Sequence, residues 1–389
     1  MRRAPIYFDY HATTPVDPRV VEAMLPYFTQ VFGNPASASH QFGWKAQEAV
    51  EESRRQVAAI IGATAREMIF TSGATESNNF ALFGAADHAS ASRRHFVTSA
   101  IEHKSVLECG RRLEASGWRV TVVPVRPDGR IDPDEIGRSI THETALVSVM
   151  AANNEIGVIQ PLAEIGAIAH AHGALLHVDA AQAVGKIPID VNAMHIDLLS
   201  LTGHKMYGPK GCGALFIRKR TDVSPLITGG GQERGLRAGT LNVPGIVGLA
   251  RACAICREEM THDSERVGAL RDRLLAGLQR LEGVRVNGSL EHRLPNNLHV
   301  SFERVDGESL LLGIGDIAVS SGSACMSASG APSHVLRAIC GDQVSPASIR
   351  FGLGRFSTGE EVDYAIERFT VVVNHLREAW SSHKLEARS

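Results

Sequence analysis

A single lysine follows a buried strand, in a turn bracketed by glycines. The apolar run at residues 196–199 predicts the strand, and Lys205 stands between Gly203 and the breaking pair Gly208 and Pro209. A lysine that is shielded from water gives up its proton readily, and the neutral amine forms Schiff bases with carbonyl compounds. The alternative is a surface lysine in a strand-to-helix loop. This stretch alone favours a surface lysine, whereas the rest of the chain favours a lysine that forms a Schiff base.

A second candidate site follows the strand predicted at residues 68–70. Gly73, Ala74 and Thr75 come after this strand and before a helix predicted at about residues 78–86. This order places free backbone N–H groups and a hydroxyl at the start of a helix, where phosphate groups bind. The segment has neither the lysine of a P-loop nor the spacing of GxGxxG. Taken alone, a plain turn explains it equally well.

Polar side chains follow several other predicted strands. His103 and Asn154 each follow one, and Asp179 and Gln182 follow the strand before the one that leads to Lys205. Singly, each side chain could cap a helix or make a local hydrogen bond. Together they belong at one edge of a parallel sheet, where ligands bind. A lysine for a Schiff base, an aspartate for a pyridinium nitrogen and a phosphate cradle are what pyridoxal 5′-phosphate requires.

The elements that position these residues alternate along the chain. Short apolar strands separated by helices predict an α/β fold with a mainly parallel sheet that is covered on both faces. The predicted strands are 68–70, 95–98, 120–125, 145–150, 175–178, 198–201, 214–217 and 297–302, and the predicted helices are 44–61, 78–86, 105–116, 133–140, 162–171, 182–184 and 243–281.

Length and composition limit the possible classes of protein. A chain of 389 residues is longer than one hydrophobic core usually supports. We therefore expect a large domain over residues 16–260 and a small α/β domain formed by residues 1–15 and 261–389. The 40 basic and 42 acidic residues argue against nucleic-acid and membrane-surface partners. No apolar run is long enough to span a membrane, which predicts a soluble, cytoplasmic protein.

The six cysteines form no disulfide framework, which fits a reducing compartment. Cys253 and Cys256 form a lone CxxC in a helical segment, and we assign it no metal. Cys325 lies in the small-residue segment 320–333, which predicts a mobile loop with an exposed, reactive thiol. The alternative is an incidental cysteine in a flexible loop. Transamination needs no such thiol, whereas covalent removal of an atom from a substrate does.

The sequence resembles the cysteine desulfurases, pyridoxal-phosphate enzymes related to class V aminotransferases. Within that family it is most similar to the housekeeping branch that serves iron–sulfur cluster assembly. The motifs span nearly the whole chain in the family's order: YHATTP at 10–15, TSGATES at 71–77, NNEIG at 153–157, HVDAAQ at 177–182, GHKMYGPKG at 203–211, SSGSAC at 320–325 and SIRF at 348–351.

The resemblance implies the fold type I architecture of pyridoxal-phosphate transferases and a role for each matching residue. Lys205 would hold the cofactor as a Schiff base, Asp179 would pair with its pyridine nitrogen, and Gln182 would bind its phenolic oxygen. His103 would stack on the ring and act as acid and base. The other implied contacts are Ala74, Thr75, Thr202, Gly203 and His204 to the cofactor and its phosphate, Asn154 to cofactor and substrate, Arg350 to the substrate carboxylate, and Thr240 to the cofactor phosphate of a neighbouring subunit in a homodimer.

The resemblance also implies the reaction. L-Cysteine would give L-alanine and a persulfide on Cys325, whose sulfur passes to an iron–sulfur scaffold protein or another acceptor. No intrinsic metal is implied, although Cys325 could be a transient cluster ligand with a scaffold. The alternatives are a selenocysteine lyase, a class V aminotransferase or a non-enzymatic binding protein with the same fold.

Overall fold

The computed structural model describes residues 5–321, 333–341, 343–345 and 347–386, with side chains up to residue 380. The segment predicted to carry Cys325 therefore lies mostly outside the described residues, and so does Cys325 itself. The strands are β1 (Ile6–Tyr7), β2 (Met68–Thr71), β3 (His95–Ser99), β4 (Arg119–Val123), β5 (Thr144–Met150), β6 (Leu175–Asp179), β7 (Leu198–Thr202), β8 (Gly213–Ile217), β9 (Val284–Val286), β10 (Asn297–Phe302), β11 (Ile317–Ala318) and β12 (Ser348–Gly352).

The helices enclose these strands. They are α1 (Pro18–Met24), α2 (Pro26–Thr29), α3 (Gln41–Ala59), α4 (Ala74–His88), α5 (Lys104–Ala115), α6 (Pro133–Ser139), α7 (Leu162–Ala171), α8 (Val243–Leu278), α9 (Gly307–Gly313), α10 (His334–Cys340) and α11 (Gly359–Glu386). Among the residues that the structure describes, no helix is long and apolar enough to cross a membrane.

A seven-stranded sheet dominates the fold, in the order β2-β8-β7-β6-β5-β3-β4. Its strands are parallel except β8, which runs antiparallel to both of its neighbours. Successive side chains on a strand point to opposite faces. Leu198 accordingly packs with helices α4 and α5, and Leu199 packs with α3, α7 and α8. Both faces are buried, as the near-continuous apolar strands predict.

A second apolar cluster surrounds the antiparallel sheet β12-β10-β9. Helix α8 joins the two clusters as one unbroken 36-residue helix. Cys256 belongs to the first cluster, and Val267, three turns further on, belongs to the second. The predicted domain boundary near residue 260 falls within this helix. The chain start also contributes to the second cluster, because β1 pairs with β11.

Several predicted boundaries are wrong. Residues 182–184 form a turn and not a helix, since Gly185, with φ of +79°, ends any helical run directly after them. Helix α3 begins at Gln41, three residues before the prediction, because the His40 side chain caps it through the Gly43 N–H. Helix α4 begins at Ala74 and not near residue 78. Glycine at position 73, with φ of +148°, lets the chain turn directly from strand to helix.

Candidate active site

The predicted site residues follow strands whose carboxyl ends meet at one edge of the large sheet. Asp179 is the last residue of β6, and Thr202 is the last of β7. A 3₁₀ turn, Gly203–Lys205, follows β7 directly. His103 follows β3 and caps helix α5. Parallel strands bring these ends to the same side, so residues far apart in the sequence surround one space.

A cavity of about 540 Å³ occupies this edge. Predicted site residues that line it are Ala74, Thr75, His103, Asn154, Asp179, Gln182, Thr202, His204, Lys205 and Arg350. Two described residues of the predicted site do not line it. Gly203 is buried within the turn, where its N–H donates to the Cys212 carbonyl at 2.9 Å, and Thr240 is exposed to solvent.

The start of the chain holds the Lys205 amine. Nζ of Lys205 donates to the carbonyl oxygens of His11 and Ala12, the latter at 2.7 Å. His11 itself is buried, with 1% of its surface exposed. Burial lowers the pKa of His11 well below its ordinary value, and the positive charges of Lys186 and Arg350 lower it further. His11 belongs to the motif at 10–15, but the resemblance implied no role for it.

A hydrogen-bond network fixes the Asp179 carboxylate. Its Oδ2 accepts from the Asn78 amide at 2.7 Å, and its Oδ1 accepts from the Ala181 N–H at 3.0 Å. The Asn78 amide also donates to Ser105 Oγ, which lies 2.8 Å from Nδ1 of His103. The network therefore links Asp179 to His103 through two side chains.

His103 is neutral in the folded protein near pH 7, because burial lowers its pKa. Its Nδ1 accepts a hydrogen bond from the Ser105 N–H at 3.2 Å. An imidazole nitrogen that accepts from a backbone amide carries no proton, so the neutral ring holds its proton on Nε2. This tautomer presents an N–H on the side of the ring away from Ser105.

Glu102 is a buried acid beside this network. Burial raises its pKa to about 8, although hydrogen bonds from Ser99 Oγ at 2.6 Å and the Met150 N–H at 2.9 Å oppose the rise. The negative charge of Asp179 raises it further. Glu102 is thus protonated at neutral pH, so it adds no second negative charge beside the carboxylate of Asp179.

The other end of the cavity is a helix start. Gly73 precedes α4 and provides no side-chain cap, so the first N–H groups of the helix face outward without one. Lys210 and His204 also line the cavity. Burial lowers the pKa of His204 to about 4, and neighbouring Lys205 and Lys210 lower it further. Glu76, in the first turn, is neutralised by Arg237, whose Nε lies 2.9 Å from its carboxylate.

Arg350, on β12, brings a cation to the cavity from the second cluster. Its side chain donates to Asp9 Oδ1 at 2.7 Å, to the Asn154 carbonyl at 2.9 Å and to Ser320 Oγ at 3.2 Å. Its Nε is buried and has no hydrogen-bond partner among the residues that the structure describes. A guanidinium that lines a cavity suits a carboxylate ligand there.

A comparison with protein families identifies the fold. The model of the class-V aminotransferases matches residues 6–365 of this chain. The chain belongs to the class-V aminotransferase family. This membership confirms the predicted fold class, and it also confirms the predicted cofactor, pyridoxal 5′-phosphate.

Relatives of this class-V chain include the cysteine desulfurase IscS of Anaeromyxobacter dehalogenans. That protein is 57% identical over 380 residues, which cover 97% of this chain and 94% of the relative. The protein of the same name from Rickettsia conorii is 55% identical over 378 residues, covering 96% of this chain and 92% of its own. These similarities confirm the predicted resemblance to cysteine desulfurases.

Solved structures agree with the class-V fold. A NifS-like protein superimposes with a TM-score of 0.88 at 41% identity, covering 97% of this chain and 99% of its own. SspA in complex with cysteine gives a TM-score of 0.80 at 38% identity, covering 91% of this chain and all of its own.

The cavity fits pyridoxal phosphate by the chemistry of its walls. A lysine amine, a carboxylate and a side-chain amide line one part of it, in Lys205, Asp179 and Gln182. The uncapped start of α4 and Lys210 also line the cavity, and both suit a phosphate dianion. These are the kinds of group that the aldehyde, the ring and the phosphate of the cofactor require.

Other cavity residues were missing from the predicted site, among them His11, Ser72, Glu76 and Lys210. The motifs at 10–15, 71–77 and 203–211 contain all four, so proximity to a motif was the available signal. Cys253 and Cys256 lie away from the cavity in the buried face of α8, next to Met206. Burial raises the pKa of both thiols.

Proposed function

We propose that this chain is a cysteine desulfurase that depends on pyridoxal phosphate. The observation that carries the proposal is one cavity lined by Lys205, Asp179, Gln182, His103 and Arg350. The identity of 57% to a protein named cysteine desulfurase IscS supports it. The overall change is L-cysteine plus the Cys325 thiol giving L-alanine plus a Cys325 persulfide, in which the substrate C–S bond breaks and an S–S bond forms.

Three residues that line the cavity have defined roles in this proposal. The bound cofactor supplies an electron sink for the substrate's Cα. Lys205 binds the cofactor aldehyde through its amine. Asp179, held by two hydrogen bonds, keeps the proton on the cofactor ring nitrogen. Neutral His103 would donate its Nε2–H to groups in the cavity, because its Nδ1 already accepts from the Ser105 N–H.

Substrate selection belongs to Arg350 and Asn154 in this proposal. Arg350 would bind the L-cysteine carboxylate, and the ion pair to Asp9 orients the guanidinium for it. Cys325, outside the described residues, provides the thiolate that takes the sulfur. The described ends of its segment support this role, because Ser320 contacts Arg350 and Ser333 contacts Glu155, the neighbour of Asn154.

The decisive experiment measures L-alanine formed from L-cysteine with a reductant present. Wild type is compared with Cys325→Ser, with Lys205→Ala, and with Cys340→Ser, a half-buried cysteine on α10, as the matched control. We expect turnover in wild type and in Cys340→Ser alone. Equal alanine from Cys325→Ser would remove this thiol from the reaction, and no alanine from pyridoxal-phosphate-loaded wild type would refute the proposal. Parallel assays with L-selenocysteine test the lyase alternative.

We also propose that the enzyme is a cytoplasmic homodimer that delivers sulfur to an iron–sulfur scaffold and other acceptors. Large apolar side chains are exposed around α2 and the start of α3, with Phe28 at 59%, Phe32 at 63% and Trp44 at 55%. Such a surface fits a second copy of the chain. Sedimentation of wild type and of Phe28→Asp/Phe32→Asp tests this: we expect a dimer and a monomer, and a monomeric wild type would contradict it.

A further inference from the structure

Gln182, two other buried side chains and the half-buried Lys186 form a directed chain of hydrogen bonds. Gln182 Nε2 donates to the His11 carbonyl at 3.0 Å, and Gln182 Oε1 lies 3.0 Å from His11 Nδ1 and 3.3 Å from Lys186 Nζ. On its other side, His11 Nε2 lies 3.1 Å from the Asn297 amide nitrogen. None of these contacts belongs to the roles assigned above to His103, Asp179 or Arg350.

The chemistry of the partners fixes every orientation in this chain. A backbone carbonyl only accepts, so the Gln182 atom facing the His11 carbonyl is the nitrogen. The amide oxygen then faces Lys186 Nζ, which can donate to it. His11 Nδ1, which faces the same oxygen, must then carry the imidazole proton. Asn297 donates to the Glu155 carbonyl and to His11 Nε2, which agrees with that tautomer.

The orientation of the Gln182 amide decides whether a donor or an acceptor faces the cavity. The His11 carbonyl accepts from both Gln182 Nε2 and Lys205 Nζ, so the amide nitrogen lies on the side of the lysine. An amide nitrogen has two hydrogens, and the His11 carbonyl takes one. The other is a donor available to an anionic oxygen in the cavity that Gln182 lines.

We propose that His11 is a positioning residue that holds the Gln182 amide with its nitrogen towards the cofactor's phenolic oxygen. The inference rests on the proposed function, because it takes Gln182 as the partner of that oxygen. His11 touches Gln182 twice, by its carbonyl and by Nδ1–H, whereas Lys186 touches the amide oxygen once. Only the Nδ1–H contact depends on the side chain and can be removed by substitution.

The test compares His11→Asn with His11→Leu in the full-length protein. The two new side chains have nearly the same shape, but only the asparagine nitrogen can replace Nδ1–H as a donor to Gln182. The readouts are the dissociation constant of pyridoxal phosphate and the pH midpoint of its visible absorption band. His95→Leu is the matched control, since His95 is equally buried, has hydrogen-bond partners at both ring nitrogens and begins β3, at the opposite edge of the sheet.

We expect His11→Leu to weaken cofactor binding about threefold to tenfold, the usual effect of one hydrogen bond. A weaker donor to the phenolic oxygen stabilises the deprotonated form less, so the midpoint should rise by about half a unit. His11→Asn should retain wild-type values within about twofold, and His95→Leu should leave both readouts unchanged.

Pairing with Gln182→Leu separates positioning from packing. If His11 acts through Gln182, His11→Leu has no further effect on the midpoint in the Gln182→Leu background. Additive effects in the double variant, an unchanged midpoint in His11→Leu, or equal losses in His11→Asn and His11→Leu would each overturn the proposal. Wild type that binds no pyridoxal phosphate would instead refute the proposed function, so the two failures are distinguishable.

Discussion

Glu102 should make the protein less stable as the pH rises from 5 to 8. In the folded protein burial raises the pKa of this carboxyl to about 8, whereas its ordinary value is 4.5. Between these values the unfolded chain has released a proton that the folded protein still holds. Stability from this group is therefore complete below pH 4.5 and is lost as the pH rises towards 8.

Glu102→Gln isolates this effect, because glutamine is neutral at every pH and has nearly the same shape. One proton contributes about 1.4 kcal/mol per pH unit, so about 4 kcal/mol between pH 5 and pH 8. An unfolding entropy of about 2 cal/mol/K per residue converts this to a Tm change of about 5 °C for a chain of this length. The variant should match wild type at pH 5 and exceed its Tm by up to about 5 °C at pH 8.

The assay is thermal unfolding of the cofactor-free protein at fixed concentration and at four pH values. Taking the difference between variant and wild type cancels every other titrating group. Glu114→Gln, an exposed glutamate on helix α5, is the control and should show no pH-dependent difference. A Glu102→Gln difference that stays constant within about 1 °C from pH 5 to pH 8 would show that the buried carboxyl is not held protonated.

Three further predictions concern other buried groups. Arg54→Met should cost about 3–5 kcal/mol of unfolding free energy, because the Glu233 carboxylate, 2.7 Å from the guanidinium, loses its buried partner; adding Glu233→Gln should recover part of the loss in urea denaturation. Ser333→Ala removes the cap of α10 and the hydroxyl bonded to Glu155, so Tm should fall by about 2 °C. Because burial lowers the pKa of His103, the acid limb of the kcat/KM profile should lie below pH 6.5 and be absent in His103→Asn.

Local patterns predicted most of the sheet but few of the buried polar contacts. Apolar runs identified the strands because both faces of the sheet are covered, and Lys205 and Asp179 were found because each stands at a strand end. The helix predicted at 182–184 failed because a short apolar stretch is compatible with a turn as well. The contacts of His11 with Asn297 join residues 286 positions apart, which no local periodicity records.

No local sequence pattern predicted the burial of Glu102 either. Glu102 follows β3, directly before the predicted site residue His103, but its raised pKa depends on burial, which only the folded chain provides. Arg350 was identified by its motif alone. Its contact with Asp9 spans 341 residues and exists only because β12 and the chain start meet beside the cavity.

The contact between Asp9 and Arg350 has a consequence during protein synthesis. Asp9 leaves the ribosome early, while its partner Arg350 is added 341 residues later. At about 5–20 residues per second, the delay is roughly 20 to 70 seconds. Until then, the nascent chain can assemble the large sheet but lacks the guanidinium wall of the cavity and the strand that Asp9 bridges through Gly352. The pocket is therefore among the last parts of the molecule to mature, and a chain interrupted before β12 carries its lysine without the residue proposed to select the substrate.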